Sequence, residues 1–75
     1  MTRGVYSVRD CVSGQFSDIC TSGSDNEAVR GFKAQLNSPD FPRYIARDLS
    51  LVCIGEYDAQ TGVVSGYENF RPVAY

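Results

Sequence analysis

LSLVCIGEYDAQTGVVSGY, residues 49–67, holds the densest run of apolar and β-branched residues in the chain and reads as a β-hairpin. Leu49, Leu51 and Cys53 alternate onto one face, and Val52 and Ile54 onto the other. An apolar run with two apolar faces predicts a central strand buried on both sides. Asp58-Ala-Gln-Thr-Gly62 interrupts it. Asp at the head of a turn accepts backbone N–H bonds, and Gly near its end supplies a positive φ without steric cost. Val63, Val64 and Tyr67 continue the return strand. Gly55 and Gly66 predict bulges or a close approach of backbones.

The same spacing recurs near the N-terminus. Asp10-Cys-Val-Ser-Gly14 repeats the acidic residue, the hydroxyl and the glycine of Asp58–Gly62. Before it, Val5, Ser7 and Arg9 alternate with Tyr6 and Val8, as in a strand, and Gln15–Cys20 supplies its return. The chain therefore begins and ends with similar hairpins. Between them, Ser24-Asp-Asn-Glu27 reads as a capping box in which Glu27 reaches back to the Ser24 N–H. Asp25 adds negative charge where the helix dipole favours it. Val29, Phe32 and Leu36, with Ala28 alongside, form the apolar stripe of a helix. Asn37 and Pro39 end that helix. Ser38–Asp48 is a connection with a short helical turn expected around Tyr44–Arg47. The last stretch, YENFRPVAY, residues 67–75, is either an edge strand or an extended tail.

The expected fold is α+β, strand–strand–helix–strand–strand. One antiparallel sheet of about four strands carries a single helix on one face, in one domain spanning residues 1–75. A chain this short buries only about 60% of its unfolded surface, which makes association into a homo-oligomer a reasonable expectation.

Composition restricts function. The chain is 43% hydrophobic and 21% charged, which suits a globular protein. No apolar run is long enough to cross a bilayer and no signal-peptide core opens the chain, so the expected location is the cytosol where the protein is made. There is no histidine, and Cys11, Cys20 and Cys53 include no CxxC pair. Neither a zinc site nor any other cofactor is expected, and the thiols are expected reduced, with Cys53 in the core. A Cys11–Cys20 disulfide is the alternative. No nucleophile–base pair or phosphate-cradling glycine motif occurs, so no catalytic residues are assigned and a non-enzymatic protein is expected.

The cations are more informative. Arg30 and Lys33 flank the helix's apolar stripe, in a row with Asn26 and Asn37. Arg43 and Arg47 extend the row into the connection. This set suits phosphate contacts, although a solvated helix face has the same pattern. Tyr67, Phe70 and Tyr75, with Arg71, suit a stacking platform for unpaired bases. Core packing, or exchange of the tail between subunits, accounts for them equally. The far side of the helix carries Glu27, Gly31 and Ala34, small enough for close approach of a second helix. Net charge is −2, so nucleic-acid binding requires a local cationic patch on an acidic body.

VYSVRD (5–10), SDNEAVRGFKAQLN (24–37), the proline-containing connection and DLSLVCIGEYDAQTG (48–62) together carry a family resemblance. Over about residues 4–66 the chain resembles the small nonstructural protein of gokushoviruses, the tailless single-stranded DNA phages of the microvirus family. The Gly55–Gly62 string and the Ala28-x-Arg30-x-Phe32 helix are its most specific parts, and YENFRPVAY matches least. The resemblance implies a DNA-binding protein without catalytic residues. Its implied role is in the switch from duplex replication to single-strand synthesis and packaging, in the host bacterial cytoplasm. The leading expectation is thus single-stranded DNA binding through Arg30, Lys33, Arg43, Arg47, Tyr67, Phe70 and Arg71. The alternative is an interaction or self-assembling adaptor that contacts viral replication or capsid proteins, or a host protein.

Overall fold

A computed structural model describes residues 2–74, with the side chains of Asp18 and Arg43 outside the description. Tyr75, placed in the tail's aromatic set above, also lies outside the described residues. Six elements follow in order: β1 (Thr2–Asp10), β2 (Phe16–Ser22), α1 (Asp25–Leu36), α2 (Arg43–Ala46), β3 (Leu49–Asp58) and β4 (Val64–Ala74). The strands form one antiparallel sheet in the order β2-β1-β3-β4, with α1 on one face. The α+β fold read from the sequence is the one observed.

The two turns are chemical twins. Asp10 Oδ1 accepts from the Val12 and Ser13 N–H groups, and Asp58 Oδ1 accepts from Gln60 N–H. The hydroxyls of Ser13 and Thr61 accept from Gln15 and Val63 N–H. Gly14 and Gly62 close the turns at φ 76° and 78°, a region that disfavours any residue bearing a Cβ.

On the helix-bearing face, Tyr6, Leu51 and Cys53 meet Ala28 and Phe32 of α1, with Val8, Val29, Leu36, Leu49, Val73 and Ala74 packed around them. Strand β3 is buried on both faces from Ser50 to Cys53, as its two apolar faces require. Cys53 is a core residue, and all three cysteines are free thiols, so the alternative Cys11–Cys20 disulfide is not formed.

Two local expectations need correction. Strand β2 runs to Ser22, two residues beyond the expected end at Cys20, because Thr21 and Ser22 pair with Val5 and Gly4. Glu27 reaches past Ser24: its Oε2 accepts from Gly23 N–H and from the Ser22 hydroxyl, both at 3.3 Å. Ser24 keeps its half of the capping box, accepting from Glu27 N–H at 3.3 Å. Of the two readings of the C-terminal stretch, the edge strand is the one observed; it runs through Pro72, tolerated there because an edge position needs fewer ladder bonds.

Strand β4 is strongly bulged. Arg71 pairs with Cys53 and Gly66 with Gly55, so Ile54 alone stands opposite Tyr67, Glu68, Asn69 and Phe70. A bulge bends its strand and increases twist. Phe16 on one edge strand thereby meets Phe70 on the other, ring centroids 5.6 Å apart and edge-to-face at 71°. In a flat sheet the two edges would stand roughly 14 Å apart, from three strand spacings of about 4.8 Å. The sheet therefore curls toward its helix-free face. That hollow holds Val5, Ser7 and Val52, all nearly inaccessible to water without a second helix to cover them.

Candidate nucleic-acid interface

Arg30 and Lys33 sit on α1 because the apolar stripe turns Ala28 and Phe32 to the sheet and leaves these cations outward; both are exposed. Arg47 is exposed at the C-terminal end of α2. Arg43 opens α2, but its side chain lies outside the described residues. Among the described residues Arg30, Lys33 and Arg47 have no ion-pair partner. Their charge is open to solvent and to an anionic ligand.

Arg71 is differently placed. Its guanidinium forks onto Asp25, Nη1 to Oδ2 at 2.9 Å and Nη2 to Oδ1 at 3.1 Å. The buried Tyr6 hydroxyl donates to the same carboxylate at 2.5 Å. Asp25 thus joins the start of α1 to edge strand β4 and central strand β1. Arg71 first, and Tyr6 after it, hold the Asp25 carboxyl below the usual carboxylate range. Burial, then the Asp25 carboxylate, raise the Tyr6 phenol well above its ordinary value. The Asp25 contact likewise strengthens the Arg71 cation. The donors that Arg71 would offer a phosphate are already engaged in holding the fold.

The tail residues Arg71 and Phe70 separate onto two faces. Arg71 points to the helix side, whereas Phe70 points to the helix-free side, where the Arg9 guanidinium lies 5.3 Å from its ring centroid. Tyr67 donates to Glu56 Oε1 at 3.1 Å, and partial withdrawal from water together with that carboxylate raises its phenol. Tyr67 and Phe70 remain exposed, each at 41%. Sequence reasoning missed Phe16 and Arg9 as their companions. The alternation Val5-Ser7-Arg9 put Arg9 on the correct face, but no local signal brings β2 to β4 across two intervening strands.

A cleft of about 580 Å³ lies between α1 and β2, beside the core of the helix-bearing face. Val8, Phe32, Leu36, Phe41 and Leu49 line it. Among the described residues, no three carboxylates or thiols gather to hold a metal ion, and no helix is long and apolar enough to cross a membrane.

Neither a curated protein nor a solved structure matches the chain. A family model described as phage ORF5 protein matches residues 3–74, from the start of β1 to the end of β4, and the chain belongs to that family.

Proposed function

We propose that this member of the phage ORF5 family is a non-enzymatic, single-stranded DNA-binding protein of gokushoviruses in the microvirus family. In this reading it acts in the host bacterial cytoplasm, in the switch from duplex replication to single-strand synthesis and packaging. The observation that carries the reading is the state of the cations. On a chain of net charge −2, Arg30, Lys33 and Arg47 are exposed and have no ion-pair partner among the described residues, while Asp25 engages Arg71. Arg30, Lys33, Arg43 and Arg47 contact phosphates, and the exposed rings of Tyr67 and Phe70 offer surfaces for unpaired bases. Arg71 supports the site by fixing β4 against α1.

The test is retardation of a labelled single-stranded oligonucleotide at low salt, beside a duplex of the same length. Retarded single strands, released as salt rises, support the reading. A free oligonucleotide at every protein concentration refutes it.

A second reading, an adaptor for viral replication or capsid proteins, is favoured by the apolar cleft beside β2. Capture of such a partner in the absence of DNA, by a protein that does not retard the oligonucleotide, would select it.

A further inference from the structure

The two edges of the sheet are unequal. Strand β4 carries Pro72, Glu68, Arg71 and the wide bulge opposite Ile54, devices that stop a sheet from adding strands. Strand β2, FSDICTS, has no proline and a single charged residue, Asp18. Its bulge lies at Ser17–Asp18, and from Ile19 to Ser22 its register with β1 is regular. Among the described residues its other side pairs with no strand. Ile19 is 64% exposed there, a large β-branched residue on an open edge.

We infer that β2 pairs with β2 of a second copy of this chain, antiparallel about a two-fold axis at Cys20, to make a continuous eight-stranded sheet. The segment is matched to itself about that residue. A two-fold axis perpendicular to an antiparallel pair sets each residue opposite its mirror position in the sequence. Cys20 then faces Cys20 of the partner subunit, and Ile19 faces Thr21 of the partner subunit, a β-branched pair on one face. Asp18 faces Ser22 of the partner subunit, so no like charges are opposed. The pairing uses the regular part of β2, covers Ile19 and satisfies the backbone groups on the open edge. A strand from an unrelated protein would have no reason to match this symmetry.

The inference is independent of DNA binding, and its test is the mass of the reduced full chain by sedimentation and light scattering. Wild type is expected at twice the chain mass. Ile19→Lys with Thr21→Lys sets lysine against lysine at two places across the axis, and is expected at the single-chain mass with an unchanged circular dichroism spectrum. Val64→Lys on the other edge and Gly31→Leu on the outer side of α1 keep the double mass. Mild thiol oxidation with diamide is expected to trap a covalent dimer in wild type and in Cys11→Ser, but not in Cys20→Ser. Three results would each overturn the inference: a single-chain mass for wild type, a double mass for the lysine variant, or a dimer dispersed by Gly31→Leu.

Discussion

Substituting alanine at Gly55 and, separately, at Gly66 tests the register of β3 against β4. The two glycines face each other across the ladder, yet their surroundings differ. A Cβ on Gly55 would stand 3.1 Å from Gly66 Cα and closer still to the Ser65 carbonyl oxygen, both backbone atoms that no rotamer change can move. A Cβ on Gly66 meets nothing within 4 Å. Neither glycine has a positive φ, so close approach alone separates them. Forcing a methyl into packed structure costs roughly 1–3 kcal/mol. In a domain of this size each kcal/mol lowers the melting temperature by about 4–8 °C, so Gly55→Ala is expected to melt between about 4 °C and roughly 24 °C below wild type. Gly66→Ala restricts the unfolded chain and is expected at or slightly above the wild-type midpoint. Thermal melts followed by circular dichroism measure both. Equal midpoints for the two variants would refute the register, and with it the placement of the bulge that brings Phe70 to Phe16.

Further outcomes follow from the same packing. Phe32→Ala removes the main contact of α1 with the sheet at a cost of about 3–5 kcal/mol; against a total of roughly 4–11 kcal/mol for a chain of this length, urea titration should find its midpoint lowered by at least about a quarter. Asp25→Ala strips the buried Tyr6 hydroxyl of its acceptor and should cost about 1–2 kcal/mol, mostly from that hydroxyl, because the Arg71–Asp25 pair is half exposed and worth little alone. The folded-state pKa of Asp25 is depressed, so its contribution is present above the ordinary carboxylate range and lost as pH falls through the lowered value. That of Tyr6 is raised, so its contribution holds below the ordinary phenol value and is lost as pH rises beyond it. Stability against pH, measured by denaturation, should accordingly be flatter on the acid side in Asp25→Ala than in wild type. Gly62→Ala forces a Cβ into a φ of 78° and should cost on the order of 1 kcal/mol, with no change at the opposite end of the sheet in hydrogen exchange.

Much of this architecture was legible because its causes are local. Asp10 with Gly14, Asp58 with Gly62, and the Ser24 cap of α1 each act within a few residues, and each makes the bonds that its spacing implies. The alternation in β1 and β3 assigned their faces correctly. The candidate site was less legible, because its arrangement depends on contacts far apart in sequence. Nothing near Arg71 in the chain announces Asp25, 46 residues away. The meeting of Phe16 with Phe70 needs the strand order, the bulge and the curl together. Arg30 and Lys33 could be placed because the helical period alone turns them away from the core.

The central claim is that the open cations of α1 hold a single-stranded polynucleotide, and the salt dependence of binding tests it most directly. Each phosphate neutralised on a single strand contributes about −0.7 to the slope of log affinity against log salt. Anisotropy titrations of a labelled oligonucleotide should give a shallower slope for Arg30→Ala with Lys33→Ala than for wild type, by about 1.4 for two lost contacts. An unchanged slope would remove these residues from the interface, and the absence of binding by the wild-type protein would contradict the account itself.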